Sequence, residues 1–177
     1  MVVLIGPPGA GKSAVGPLVA DLLGVPFRDT DADIAAAAGK PVGDIFVEDG
    51  EETFRELERA AVTSALGEQG AEPARGVLAV GSGAVLDEGV RQLLTGRPVV
   101  YLSTSFGTLV KRIGLDRPRV VVPGNPRGRL RAMLTERLPL YQRLAAVTVE
   151  TDDLDPDELA AQIAATVTVG PPPEDSR

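Results

Sequence analysis

The stretch LIGPPGAGKSAV, residues 4–15, decides the fold because it joins an apolar run to a glycine-rich turn and then to a helical pattern. Within it, GPPGAGKS fits the pattern G-x-x-x-x-G-K-[ST]. In such a loop, glycines let backbone N–H groups point at phosphate oxygens, and the following helix presents its positive N-terminal end. We therefore predict a site for the phosphates of ATP. Its predicted residues are Gly9, Ala10, Gly11, Lys12, Ser13 and Ala14.

Two side chains of this loop are candidates for binding phosphate and metal. We expect Lys12 to reach the β- and γ-phosphates and the Ser13 hydroxyl to bind Mg²⁺. The alternative interpretation is a glycine-rich turn between strand and helix that holds no ligand. Coincidence of the four fixed positions is expected only about a few times in a thousand sequences of this composition. The pattern therefore favours nucleotide binding.

Composition and charge limit the remaining function classes. The 177 residues are 44% hydrophobic and 24% charged, which predicts one soluble domain over residues 1–169 and a disordered tail over 170–177. No run approaches the roughly 18–20 apolar residues of a membrane span. We expect a cytoplasmic monomer without a leader peptide or membrane attachment. Cys and His are absent, so catalysis must use Asp, Glu, Lys, Arg, hydroxyls and backbone groups.

Charge is distributed unevenly along the chain. The net charge of −7 argues against a nucleic-acid partner. Residues 111–143 nevertheless contain nine basic side chains and only two acidic ones. This segment favours a small anionic ligand over a polymer, and the alternative is a solvated arginine-rich helix face.

Apolar runs and helical periodicity alternate along the chain. Buried strands are predicted at residues 2–5, 25–28, 77–80, 98–102 and 147–150. Helices are predicted at residues 12–23, 34–38, 51–66, 87–94, 105–113, 130–144 and 156–167. The alternation predicts a three-layer α/β fold with a central parallel sheet. The segment 114–128, rich in Pro and Arg, is predicted to be a mobile lid, and Pro139 is expected to end or kink its helix.

Acidic residues follow the second predicted strand. Asp29 and Asp31 would lie at the carboxyl edge of the sheet, beside the phosphate loop. One carboxylate could complete the Mg²⁺ shell while the other orients an acceptor hydroxyl and takes its proton. Alternatively, the two residues only cap a helix that begins near Ala32.

Five motifs in this order resemble the shikimate kinase family over about residues 2–150. They are GPPGAGKS, DTDADI, DIFVEDGEETFRELE, VGSGAV and ERLPLY. The resemblance implies a nucleoside-monophosphate-kinase-like P-loop fold with a moving lid. It also implies Mg²⁺-dependent transfer of the γ-phosphoryl group of ATP to the 3-hydroxyl of shikimate.

The resemblance also implies roles for individual residues. Asp29 resembles an outer-shell Mg²⁺ carboxylate, and Asp31 resembles the group that binds the acceptor hydroxyls and acts as base. Arg55 and Arg137 resemble a pair that clamps the shikimate carboxylate; without the resemblance, Arg55 reads as a surface residue paired with Glu51. The turn predicted to meet the acceptor is Gly81, Ser82 and Gly83. The predicted catalytic residues are Lys12, Asp31, Arg117 and Arg119.

Three positions depart from the family pattern. Ser82 stands where a glycine is usual, so its side chain is costly if the backbone needs positive φ, or else supplies an extra hydroxyl to the acceptor. The lid sequence DRPRVVVPGNPR gives the phosphate-contacting role to Arg117 or Arg119, and we favour Arg119. The segment TDDLDPDE places Asp153 where the family often has an arginine near the adenine.

Other functions remain open from the sequence. A kinase for another polyol or a sugar acid could use the same aspartate and arginines. A nucleotide-binding module with little catalysis is suggested by Ser82 and the altered lid. An adenylate-kinase-like enzyme is disfavoured because Ser-Ala follows the loop lysine and no Asp-Gly-Phe-Pro-Arg segment is present.

Overall fold

The computed structural model describes residues 1–67, 75–116 and 124–168. Five strands form one parallel sheet in the order β2-β3-β1-β4-β5. They are β1 (Val2–Ile5), β2 (Phe27–Asp29), β3 (Val77–Ala79), β4 (Val99–Ser103) and β5 (Val147–Glu150). The predicted α/β class with a central parallel sheet is confirmed.

Helices connect and cover the strands. They are α1 (Lys12–Leu23), α2 (Thr30–Ala38), α3 (Val42–Glu48), α4 (Gly50–Leu66), α5 (Glu88–Leu94), α6 (Phe106–Arg112), α7 (Pro126–Leu144) and α8 (Pro156–Thr168), with a 3₁₀ turn at Ala84–Leu86. None of the helices in the described part of the chain is both long and apolar enough to span a membrane.

The central strand β1 is buried from both faces. Val3 and Ile5 belong to a cluster that includes Val62 of α4, while Leu4 packs with Val19 of α1 and others on the opposite face. Helices therefore cover both faces of the sheet, which explains why its central strands read as uninterrupted apolar runs. Because β1 lies in the middle, the loop that follows it opens at the centre of the carboxyl edge.

Three short elements differ from the sequence prediction. Helix α2 begins at Thr30 rather than at residue 34, because Asp29 caps it. Helix α3 was not predicted, because only Ile45 among its residues is buried and seven residues give little periodicity. Strand β2 begins at Phe27 rather than at residue 25. The Val25 N–H bonds to the Ala20 carbonyl and thereby belongs to the end of α1.

Helix α7 begins earlier than predicted and ends at the predicted residue, Leu144. Pro126 occupies the first turn, and the Asn125 side chain accepts a hydrogen bond from the Gly128 N–H. The final residues of the predicted loop 114–128 are therefore helical. Of the two expected effects of Pro139, ending the helix does not occur, since α7 continues to Leu144, and a kink stays a prediction. Residues 117–123 of the predicted lid and the predicted tail at 170–177 lie outside the described residues.

Candidate active site

The phosphate loop occupies the gap between β1 and α1. Gly6, Gly9 and Gly11 all have positive φ, at 149°, 81° and 101°. A Cβ on Gly6 would lie 2.8 Å from the Leu102 carbonyl oxygen, so this close approach of the loop to β4 requires glycine. The loop therefore has the backbone freedom that its sequence pattern predicts.

Lys12 lies under this loop. Its Nζ donates hydrogen bonds to the carbonyls of Gly6, at 2.8 Å, and Pro7, at 3.1 Å. Burial lowers the pKa of Lys12 to about 8, although the carboxylates of Asp31 and Asp29 act in the opposite direction. The ammonium is thus already aimed at the space that phosphate oxygens would occupy above the loop.

Ser13 and Asp29 form an oxygen-rich pair next to Lys12. The Ser13 hydroxyl donates to Asp29 Oδ2 at 2.6 Å, while Asp29 Oδ1 accepts from the Asp31 N–H at 2.9 Å. Asp29 therefore caps α2 and also contacts the phosphate loop through Ser13, while its role toward Mg²⁺ stays a prediction. Hydroxyl and carboxylate oxygens fit Mg²⁺, which keeps several waters and phosphate ligands rather than a full protein cage. Accordingly, the described residues include no group of three or more acidic side chains arranged to hold an ion.

Asp31 faces the same space from the first turn of α2. Burial raises the pKa of its carboxyl, and the neighbouring Asp29 raises it further, while Lys12 and Arg55 act in the opposite direction. A Cβ on Gly81 would lie 2.7 Å from Asp31 Oδ1. Glycine at position 81 therefore makes room for this carboxylate at the end of β3.

Arg55 projects from α4 and is held by two carboxylates. Its Nη1 donates to Glu58 Oε2 at 2.6 Å, and its Nη2 donates to Glu51 Oε1 at 3.3 Å. The predicted pairing with Glu51 is therefore present, but the buried Glu58 is the closer partner. A Cβ on Gly83 would collide with the Arg55 guanidinium, so glycine at position 83 lets Arg55 lie against the turn.

Glu58 was missed by the sequence analysis. Its side chain is only 3% exposed, and burial raises the pKa of its carboxyl while the partner Arg55 lowers it. The available signal was its position, four residues after Phe54 and four before Val62 on the buried stripe of α4. A charged residue inside such a stripe needs a partner of opposite charge, because burying an unpaired charge is costly.

Ser82 has an ordinary backbone, since none of the described non-glycine residues has a positive φ. The steric cost considered for this position therefore does not arise. Its hydroxyl accepts a hydrogen bond from Arg137 Nη1 at 3.2 Å, and its carbonyl accepts one from the Tyr141 hydroxyl at 2.6 Å. Helix α7 is thus joined to the turn of Gly81, Ser82 and Gly83.

A cleft of about 350 Å³ connects these groups. Its lining comes from the phosphate loop, the start of α2 and the end of β3, and includes Lys12, Ser13, Asp29, Asp31 and Ser82. Arg55 and Arg137 contact the turn at residues 81–83. The structure therefore places the phosphate loop, the acidic pair and Ser82 around one cleft, with the two arginines against the adjoining turn, whereas Arg117 and Arg119 lie outside the described residues.

Arg112 is a second residue that the sequence analysis did not single out. Its Nη1 donates to the Gly9 carbonyl at 3.4 Å and to the Thr151 hydroxyl at 2.9 Å, and its Nη2 donates to the Thr151 carbonyl at 2.6 Å. It therefore ties the phosphate loop to the end of β5. Its place in the basic segment 111–143 was the only signal for it. Asp153, in contrast, is exposed.

Comparison with known proteins identifies close relatives. A family model for shikimate kinase matches residues 8–168. The chain is 53% identical over 164 residues to the shikimate kinase of Thermobifida fusca, covering 93% of this chain and 92% of that protein. It is 49% identical over 163 residues to the shikimate kinase of Salinispora arenicola, covering 92% and 95% of the two chains. The structure of an Acinetobacter baumannii shikimate kinase in complex with shikimate matches with a TM-score of 0.82 and 34% identity, over 95% of this chain and 92% of that one.

Proposed function

This chain belongs to the shikimate kinase family, and from that membership we propose how its cleft transfers the γ-phosphoryl group of ATP to the 3-hydroxyl of shikimate. The observation that carries the proposal is the convergence of two sets of groups. Lys12 and the phosphate loop line the cleft and suit the phosphates of a nucleotide. Asp31 and Ser82 line it too, and the turn that holds Ser82 contacts Arg55 and Arg137, which suits a hydroxylated carboxylate.

The ATP side of the cleft consists of backbone N–H groups and polar or charged side chains. The loop N–H groups and Lys12 bind the phosphates, and Lys12 exchanges its two carbonyl partners for phosphate oxygens. Ser13 and Asp29 supply the protein oxygens for Mg²⁺. When bound, Mg²⁺ neutralises charge on the phosphate oxygens. Little covalent chemistry is asked of the protein, so positioning and charge neutralisation supply most of the rate.

The acceptor side is built around Asp31. Its carboxylate accepts the proton of the acceptor hydroxyl as that oxygen bonds to the γ-phosphorus and the bond from this phosphorus to the β–γ bridging oxygen breaks, releasing ADP. Burial raises the pKa of this carboxyl and so increases its affinity for the proton. The nearby Lys12 and Arg55 keep it from becoming neutral too readily, because both act to lower its pKa.

Two arginines hold the acceptor carboxylate. Guanidinium groups bind carboxylates through paired hydrogen bonds and stay charged at all working pH values. Arg137 Nε is buried and, among the described residues, has no hydrogen-bond partner. A buried donor without a partner is costly, and an acceptor carboxylate would satisfy it. Arg55 is kept in place by Glu58 and Glu51.

The remaining assignments come from the sequence alone. We propose Arg119, with Arg117 as the alternative, as the lid arginine that contacts the transferred phosphoryl group. Closure of the lid would exclude water and limit hydrolysis of ATP. The cytoplasmic location and monomeric state stay predictions.

The test is ADP release by the full chain with ATP and Mg²⁺ in the presence of shikimate, gluconate, AMP or no acceptor. We expect release that depends on shikimate and is at least about tenfold slower with the other acceptors. Release driven by gluconate or AMP but not by shikimate would overturn the proposal. ATP binding without acceptor-dependent release would instead support a weakly catalytic nucleotide-binding module.

A further inference from the structure

Ser82 is the only side chain on the turn between the two clamp arginines, because its neighbours are Gly81 and Gly83. Its Oγ accepts a hydrogen bond from Arg137 Nη1 at 3.2 Å. The residue also lines the cleft, together with Lys12 and Asp31. The Ser82 hydroxyl therefore lies between a guanidinium that binds ligand and the space that the ligand occupies.

The Ser82 hydroxyl proton is free for a ligand. A serine hydroxyl has one donor proton and two acceptor lone pairs. Here the oxygen receives the Arg137 N–H, and no described residue accepts the hydroxyl proton. A hydrogen bond from a charged donor polarises the hydroxyl, which strengthens its own donation to an anionic oxygen.

The position of Ser82 is fixed from both sides. The Tyr141 hydroxyl donates to the Ser82 carbonyl at 2.6 Å, and the Tyr141 ring stacks on Tyr101 of β4 with centroids 5.3 Å apart. On the other side, the Gly81 N–H donates to the buried Thr30 hydroxyl at 2.9 Å. A hydroxyl on so constrained a turn is held in place before any acceptor arrives, and this reduces the entropy lost on binding.

The geometry points to Ser82 as a further acceptor-binding residue, whose hydroxyl accepts from Arg137 and donates to a carboxylate oxygen of the acceptor. Ser82 thereby extends the carboxylate site from two arginines to two arginines and a hydroxyl. It also holds Arg137 against the turn, and Arg137 Nε is buried there without a hydrogen-bond partner among the described residues. This inference depends on the proposed function, since it assumes an acceptor that carries a carboxylate.

The test compares the wild-type enzyme with Ser82→Ala and Ser82→Gly in steady-state kinetics at saturating ATP. Each variant loses the hydroxyl, and the backbone at position 82 needs no special φ. We expect the KM for shikimate to rise about tenfold to hundredfold in both variants, the loss typical of one hydrogen bond to a charged group. The kcat and the KM for ATP should stay within about twofold of the wild type. Ser64→Ala, at an exposed position on α4, is the matched control and should change neither constant.

A second substrate separates recognition of the carboxylate from a role in turn structure. With the methyl ester of shikimate, which lacks the negative charge, the ratio of KM values for Ser82→Ala and wild type should fall to about one, since the charge-assisted contact is gone. An unchanged KM for shikimate in Ser82→Ala would overturn the inference. A rise confined to Ser82→Gly, or one that persists with the ester, would also overturn it by showing that turn rigidity is responsible.

Failure of this inference and failure of the proposed function give different results. If the wild-type enzyme does not phosphorylate shikimate, the proposed function fails, and this inference fails with it. If the wild type is active and Ser82→Ala has the wild-type KM, only the role of Ser82 is lost.

Discussion

Lys12 and Asp31 are the two titratable side chains on which the proposed chemistry depends most. Burial disfavours the charged form of each side chain. The pKa of Lys12 is therefore lowered to about 8, and that of Asp31 is raised. Each partly offsets the shift of the other through their opposite charges. The cleft without ligand therefore holds groups whose charge depends on what binds beside them.

ATP binding should be coupled to proton uptake by Lys12. In the ligand-free protein at about pH 8.5, more than half of the Lys12 side chains are neutral, because this pH exceeds the pKa of about 8. Bound phosphates stabilise the charged ammonium of Lys12 and so raise the pKa of this residue. Calorimetry at that pH in two buffers with different ionisation enthalpies should show uptake of a fraction of a proton. The affinity for ATP should fall by up to about tenfold per pH unit above pH 8.

Lys12→Met is the control for this measurement and should remove the proton uptake together with most of the affinity for ATP. A binding enthalpy for the wild type that is the same in both buffers would contradict the assignment.

Asp31→Asn should lower kcat by about 10²- to 10⁴-fold, because the amide cannot accept the proton of the acceptor hydroxyl. The wild-type rate should fall as the pH decreases through the pKa of Asp31, since the base is active only when ionised. Because that pKa is raised, the fall should begin at a higher pH than an ordinary aspartate would give. A pH–rate profile of kcat/KM checks this.

Asp33→Asn is the matched control on the same helix, since Asp33 pairs with Arg28 at 2.8 Å rather than facing the cleft. It should leave the acidic limb of the profile unchanged. A wild-type activity in Asp31→Asn would exclude Asp31 as the base.

At the scale of elements, α4 and α7 approach one turn and each contributes one arginine. Arg55 lies against Gly83, while Arg137 and Tyr141 of α7 contact Ser82. Buried strand runs and the main helices could be predicted because they depend on local periodicity. Helix α3 could not, because a short helix with one buried residue leaves no periodic signal. The end of α7 at Leu144 was predicted, but its start at Pro126 was not, because the first turn depends on the Asn125 cap and carries no buried periodic residue before Leu130.

Arg55→Ala and Arg137→Ala should each raise the KM for shikimate by about 10- to 100-fold, the loss expected for charged hydrogen bonds to a carboxylate. The KM for ATP should change by less than about threefold, because the described hydrogen bonds of both arginines go to α4 and to Ser82 rather than to the phosphate loop. Steady-state kinetics with each substrate varied in turn measure both effects.

Matched controls lie on the same two helices. Arg59→Ala on α4 removes an exposed arginine that pairs with Asp87, and Arg143→Ala removes an exposed residue of the last turn of α7. Both should retain the wild-type KM for shikimate. Equal losses for shikimate and ATP in the Arg55 and Arg137 variants would contradict the carboxylate clamp.

At the scale of the whole molecule, the parallel sheet explains how residues far apart in the chain form one cleft. The carboxyl ends of β1, β2 and β3 meet at one edge, which brings together Lys12, Asp31 and Ser82. The phosphate loop and the acidic pair were predictable because each lies within one short motif. The Ser82–Arg137 contact and the burial of Glu58 were not, because they depend on the packing of α4 and α7 around that edge.

The proposal that this enzyme phosphorylates the 3-hydroxyl of shikimate is tested by finding which carbon of the product bears the phosphoryl group. The full chain is incubated with ATP, Mg²⁺ and shikimate, and the product is examined by phosphorus–proton correlation NMR. The account predicts one new phosphorus signal coupled to the proton on the carbon that bears the 3-hydroxyl of shikimate. Inorganic phosphate as the sole product, or a phosphorus signal coupled to a proton on any other carbon, would contradict it.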